Sequence, residues 1–217
     1  MSDLKPWLKA QQKLVDADLK RQLPRENVRP ATIHKAMHYS IFAGGKRLRP
    51  ILCLVAAEAC GGKIENALSP ACAVEIMHTY SLVHDDLPCM DDDDLRRGRP
   101  TSHKVYGEGV AVLCGDALLT EAFSIIAQTP ATKRYTAKEY VSELAITGGS
   151  KKLIGGQILD LEGEGKSLGR RMGKRGLDQK NRHDFYVYFF RLLRLLEVYN
   201  QLCHSWPIWK NGSDILN

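Results

Sequence analysis

The sequence predicts an all-α chain. Apolar residues recur at helical spacing in one segment after another. Helix start and stop residues stand at the segment ends. No stretch before Lys166 alternates as a half-buried strand requires. At 217 residues the chain is long enough for one domain with its own core. Its 44% hydrophobic and 26% charged residues are those of an ordinary globular protein, which excludes a disordered or fibrous chain.

Residues 3 to 22 carry Leu4, Leu8, Leu14, Val15 and Leu19 on a charged background, the pattern of an amphipathic helix. Pro24 and Pro30 bound a short connection, and residues 31 to 43 read as a second helix stopped by Gly44-Gly45. Lys46 and Arg49 then fall in a first helical turn, which opens an apolar segment from Ile51 to Cys60. Ser69 as N-cap with Pro70 at the first helical position predicts a helix from there through Asp85. Its Glu75, His78, Ser81 and Asp85 share one face, which is expected to place His78 and Asp85 in one cleft. Pro88 lacks the donor that a further turn needs, so the helix ends inside the acidic cluster. Val110 to Ala127 reads as a buried helix, Thr136 with Glu139 as a capping box for a helix to about Thr147, and 150 to 161 as another.

The chain is organised around residues 78 to 100, H-T-Y-S-L-V-H-D-D-L-P-C-M-D-D-D-D-L-R-R-G-R-P. Asp85, Asp86 and Asp91 to Asp94 are six carboxylates within ten residues, followed at once by Arg96, Arg97 and Arg99. So many like charges need a positive partner. The neighbouring arginines and divalent cations both qualify. Hard oxygen ligands in sparse pairs suit Mg²⁺, which keeps several waters and completes its shell with phosphate oxygens. Guanidinium groups grip the same phosphates bidentately. Lys46 and Arg49, beside two glycines, make a second anion site.

No uninterrupted apolar run approaches the roughly eighteen residues of a membrane span, so none is expected. Cys53, Cys60, Cys72, Cys89, Cys114 and Cys203 are scattered without C-x-x-C spacing. They are expected to be reduced in a cytoplasmic protein, neither disulfides nor zinc ligands. Residues 1 to 165 hold 21 basic and 21 acidic residues, so the net charge of +6 comes entirely from the last 52, with 10 basic and 4 acidic. That basic tail carries no nucleic-acid module, and no nucleic-acid partner is expected.

Taken together, G-G-K-R-L-R-P at 44 to 50, the 78 to 103 stretch, G-D-A-L-L at 115 to 119 and G-G-Q-I-L-D-L at 155 to 161 resemble the trans-isoprenyl diphosphate synthases. That family, which includes the farnesyl and geranylgeranyl diphosphate synthases, is all-α. The resemblance implies a helical bundle around a deep apolar cavity, a homodimer, and Mg²⁺ as cofactor. It implies that isopentenyl diphosphate and an allylic diphosphate are joined by ionisation, condensation and proton loss. By position, Asp85 and Asp91 would bind Mg²⁺ with the allylic diphosphate, Asp86 would support them, and Arg96 would contact that diphosphate. Lys46, Arg49, His78 and Arg97 would hold isopentenyl diphosphate, and Gln157 and Asp160 would face the reaction centre. Tyr80, with Ser81 beside it, would floor the tunnel at fifteen carbons, as in bacterial farnesyl synthases with the same D-D-x-x-x-x-D spacing. A geranylgeranyl product and a non-catalytic subunit are the alternatives.

The resemblance covers about residues 1 to 166. After residue 94 no D-D-x-x-D occurs, and no Lys-Thr pair follows Gln157. Residues 167 to 217 are therefore expected to be a divergent basic and aromatic tail, the product of a frameshift or aberrant end. The bundle is expected to be C-terminally truncated.

Overall fold

A computed structural model describes residues 4–59, 61–132 and 135–163. The tail from 167 onward and the boundary expected at Lys166 lie outside these residues. In chain order the elements are α1 (Leu4–Gln22), α2 (Ala31–Ile41), α3 (Leu48–Ala59), α4 (Ile64–Asp85), β1 (Leu95–Arg96), β2 (Arg99–Pro100), α5 (Ser102–Tyr106), α6 (Glu108–Ile126), α7 (Ala137–Gly148) and α8 (Leu153–Gly163). The all-α expectation holds, with one small addition. β1 and β2 form an antiparallel hairpin in which Leu95 faces Pro100 and Arg96 faces Arg99. Its two-residue turn, Arg97-Gly98, has positive φ at both positions, 56° and 77°, as a type I′ turn demands. Two-residue strands are too short to leave an alternating pattern in the sequence.

The chain divides into two compact units. The first comprises Met1–Ile51 and Leu68–Gln128. In it α2 packs on α5 and α6, and α5 on α6. The core includes Val15, Leu19, Ile41, Ile76, Leu118 and Ile125. Residues Ala71 to Met77 of α4 are all buried, as expected of a helix packed on every side. Each large apolar side chain so removed from water stabilises the fold by about 1.5–3 kcal/mol. In the second unit, Leu52–Ala67 and Thr129–Asn217, α7 packs on α8. Leu54, Tyr140 and Leu144 are among its buried side chains. The capping box forms: the backbone N–H of Thr136 donates to Glu139 Oε2 at 2.8 Å.

Three local expectations need correction. First, α4 begins at Ile64, so Ser69 is not its N-cap and Pro70 lies inside the helix. A proline there forfeits one bond, to the carbonyl of Asn66. The buried run that follows outweighs this cost of ~3 kcal/mol. Second, α3 begins at Leu48, so Lys46 precedes the helix rather than sitting in its first turn. Third, one helix, α6, is long and apolar enough to cross a membrane by length and composition. The sequence hides this because Glu108, Asp116 and Glu121 interrupt the apolar run. Its face of Ala111, Cys114, Leu118, Ala122 and Ile125 is buried, as in a core helix.

Among the described cysteines, Cys53, Cys72 and Cys114 are buried and Cys89 is exposed, all as free thiols. Burial pushes the Cys53 thiol up to about 12 and Cys114 to about 11, which makes both poor nucleophiles.

Candidate functional site

The glycine pair after α2 prepares the first part of the site. Gly44 and Gly45 adopt φ of 94° and 136°, and a Cβ on Gly45 would collide with the Arg97 guanidinium. Only glycine permits that approach. Arg97, reaching over from the hairpin turn, donates to the carbonyl of Gly44. The result is an open cleft of about 570 Å³ lined by Gly45, Lys46, Arg47, Leu48, Arg49, Glu75, His78 and Arg97.

Lys46, Arg49, His78 and Arg97 are thus brought together, far apart in sequence as they are. Four cationic side chains, Lys46, Arg47, Arg49 and Arg97, line the cleft with one carboxylate, Glu75, which Arg47 bonds. The crowding registers in their acidities. Burial and the neighbouring Arg97 pull Arg49 down, against Glu75. Arg97 is likewise lowered, by burial and by Arg47 and Arg96. His78 is pushed down to about 3, first by burial and then by Arg49, Arg97, Arg47 and Arg96. Such a surplus of positive charge, partly withdrawn from water, favours an anion with several charged oxygens.

The sign of the His78 shift gives a test. A base whose folded pKa lies near 3 rather than 6.5 stays neutral in the folded protein while the unfolded chain protonates. Its contribution to stability is whole above pH 6.5 and is lost as pH falls toward 3, by at most about 1.4 kcal/mol per pH unit. The melting temperature should therefore fall between pH 6.5 and 4, and fall less in His78→Asn. Inorganic pyrophosphate in the cleft should return the His78 titration toward its ordinary value, followed by NMR of the ring protons. A His78 resonance titrating near 6.5 in the free protein would contradict this.

The acidic part stands at the C-terminal end of α4, which stops at Asp85, three residues ahead of Pro88. Asp85 and Asp86 are buried at 7% and 4% exposure, while Asp91 is exposed. The backbone N–H of Asp91 donates to the carbonyl of Asp85 at 2.8 Å, which folds the second half of the motif back onto the first. Arg96 bonds Asp86 through both Nε, at 2.9 Å, and Nη2, and reaches Asp93 at 3.0 Å. Both partners are raised, for different leading reasons. The Asp86 bond raises Arg96, whereas burial raises Asp86 against the pull of Arg96. Two guanidinium donors on one carboxylate oxygen support the ion pair. Asp94 pairs with Lys104 at 2.7 Å, which holds its carboxyl below the usual range.

The arginines next door thus neutralise part of the cluster. Asp85 and Asp91 offer carboxylate oxygens of the type that a hard divalent cation takes, and their backbones lie close together. A further set, Asp92, Asp94 and His103, has ligand atoms within 4.8 Å of one another. Spacing in the sequence gave no signal for it.

His78 and Asp85 do not share this cleft: its wall holds Glu75 and His78, but not Asp85. Two helical turns carry Asp85 to the far end of α4. A small cavity of about 30 Å³ with a mixed lining, Thr79, Leu82, Val83, Asp86, Arg96 and Arg97 among others, stands beside Asp86. Arg97 lines both hollows.

Tyr80 is buried, with its ring edge-on to His84 at 5.9 Å. Burial and Asp85 push its hydroxyl up to about 12. Neither hollow is lined by Tyr80 or by the buried Ser81. Gln157 and Asp160 lie three residues apart on α8, in the second unit. Sequence reasoning missed Arg47. It stood in the quoted motif, but a helical turn beginning at Lys46 would have turned it away.

Residues 30–177 match the family model for polyprenyl synthetase. Over 163 residues the chain is 49% identical to geranylgeranyl pyrophosphate synthase 4 of Arabidopsis thaliana, covering 75% of this chain and 43% of that protein. Over 141 residues it is 49% identical to farnesyl diphosphate synthase of Bacillus subtilis (strain 168), covering 64% and 48%. The chain thus spans less than half the length of these two relatives. The apo crystal structure of an FPP/GFPP synthase from Zymomonas mobilis superposes with a TM-score of 0.81 at 34% identity, covering 90% of this chain and 71% of that one. With its helical fold and its cationic cleft near an acidic helix end, the chain belongs to the polyprenyl synthetase family.

Proposed function

We propose that the chain acts as a prenyltransferase that joins isopentenyl diphosphate to an allylic diphosphate such as dimethylallyl or geranyl diphosphate. The observation that carries this is the cleft with four cations to one carboxylate. Lys46, Arg49, His78 and Arg97 hold isopentenyl diphosphate there. His78, neutral because of its surroundings, donates a hydrogen bond without adding a charge. Asp85 and Asp91 hold Mg²⁺, with Asp86 keeping Arg96 oriented toward the allylic diphosphate. Bound Mg²⁺ neutralises charge that grows on a departing diphosphate. Arg96 adds guanidinium donors to the same oxygens. The active form is a homodimer.

Purified protein incubated with labelled isopentenyl and dimethylallyl diphosphates plus Mg²⁺ is expected to give a prenyl diphosphate. Retained pyrophosphate binding without product would instead favour a non-catalytic subunit.

For product length, Tyr80 five residues before Asp85 argues for a farnesyl product. The name of the Arabidopsis relative argues for a geranylgeranyl one. Tyr80→Ala is expected to shift the products by one or more five-carbon units, read by chromatography of the dephosphorylated alcohols. Products no longer than those of the unaltered chain would remove Tyr80 from this role.

A further inference from the structure

Arg47 is the cationic residue of the cleft that lies deepest, at 3% exposure. Its donors are already directed at the protein. Nε donates to Asp16 Oδ1 at 2.8 Å, Nη1 to Glu75 Oε1 at 2.8 Å, and Nη2 to the Ile41 carbonyl at 2.7 Å. Burial alone would lower its pKa, but Glu75 and Asp16 more than compensate and leave it raised. Its backbone is left-handed, with φ of 50°, a conformation that a non-glycine residue keeps only when its surroundings impose it. The same turn is held at two further points: Gln12 Nε2 donates to the Gly45 carbonyl at 2.7 Å, and Arg97 donates to that of Gly44.

The strained residue sits between Lys46 and the start of α3, where Arg49 lies. The dihedral turn at 47 therefore sets the direction of Lys46 relative to Arg49. We propose that Arg47 is a positioning residue: its clamp on Asp16, Glu75 and the Ile41 carbonyl fixes the 44–48 turn so that Lys46 and Arg49 meet one diphosphate together. This rests on the diphosphate reading of the cleft. It assigns Arg47 a task distinct from charge, since its ion-pair partners already offset its own.

Two variants of the full chain separate positioning from electrostatics, with inorganic pyrophosphate as the probe in titration calorimetry. Asp16→Ala removes one arm of the clamp and one negative charge near the cleft, and alanine suits α1. If Arg47 acted only through charge, pyrophosphate would bind more tightly. A positioning role requires the opposite sign, a Kd at least threefold weaker with the melting temperature within a few degrees of the parent. Arg47→Lys keeps the charge but not the three-way geometry, and is expected to weaken binding at least tenfold. Should Asp16→Ala fail to fold, Arg47→Lys decides alone. Unchanged or tighter binding in the folded variant overturns the proposal. A parent protein that does not bind pyrophosphate overturns the diphosphate reading itself, and with it this role.

Discussion

Asp85→Asn is expected to leave the fold intact and to reduce prenyl transfer on the order of a thousandfold, equivalent to ~4 kcal/mol of lost transition-state stabilisation. Asparagine has the same shape, so the end of α4 and the Asp91 N–H to Asp85 carbonyl bond should survive. What goes is a negative oxygen at a site 7% exposed, where a neutral amide cannot replace a carboxylate as a ligand for a hard cation. Asp86→Asn should differ in kind. Its carboxylate is already committed to Arg96, so the loss would appear as a weaker grip on the allylic substrate. The check is incorporation of labelled isopentenyl diphosphate across a Mg²⁺ series. Where turnover is too slow to follow, the Mg²⁺ dependence of pyrophosphate binding serves instead. Asp85→Asn should abolish that dependence, and an unaltered Mg²⁺ response would refute its assignment as a metal ligand.

Gly115→Val is expected to be the most damaging small change in the first unit. Gly115 is buried within α6, and a Cβ there would fall on the His84 imidazole. That ring donates from Nε2 to the Val112 carbonyl at 2.9 Å and is stacked edge-on by Tyr80. Any side chain at 115 must push the ring off its partner, and His84 directly precedes Asp85 and Asp86. Alanine in place of glycine gains up to ~1 kcal/mol of helix propensity. Overpacking costs about 1–3 kcal/mol and the lost hydrogen bond about 0.5–1.5 kcal/mol, so the loss wins even for Gly115→Ala. For valine, with a poorer propensity and more volume, a deficit of ~3 kcal/mol should lower the melting temperature by about 10 °C. Adding His84→Ala to Gly115→Ala should recover part of the loss, because it removes the group being struck. Strict additivity in that cycle would show that the collision is not the cause.

The sequence revealed most where a residue acts through local chemistry. Pro88 stops α4, Thr136 and Glu139 cap α7, and the two glycines before Lys46 open the turn that Arg97 enters. All of these depend on backbone geometry within a few residues. Residues whose partners are remote were harder to read. The role of Arg47 depends on Asp16 and Glu75, 31 and 28 positions away, and that of Gly115 on His84. Neither pairing leaves a periodic trace. The start of α4 was misread for another reason: Ser69-Pro70 has the form of a helix beginning, but tertiary burial carried the helix back across the proline. The acidic cluster was legible as a site, although nothing in its spacing showed that Asp86 and Asp93 are the carboxylates that Arg96 bonds.

The hairpin of Arg96 to Arg99 has a consequence for how this segment tolerates change. Surface connections usually absorb insertions and deletions. Here adjacent arginines are sent to opposite jobs, one to Asp86 and the next to the glycine turn, by a loop with no residue to spare. Adding one amino acid at Gly98 would force a different turn type and swing one of the two side chains away. The length of this loop is thus constrained as tightly as the identity of its arginines, and grafting or shuffling experiments should keep it whole.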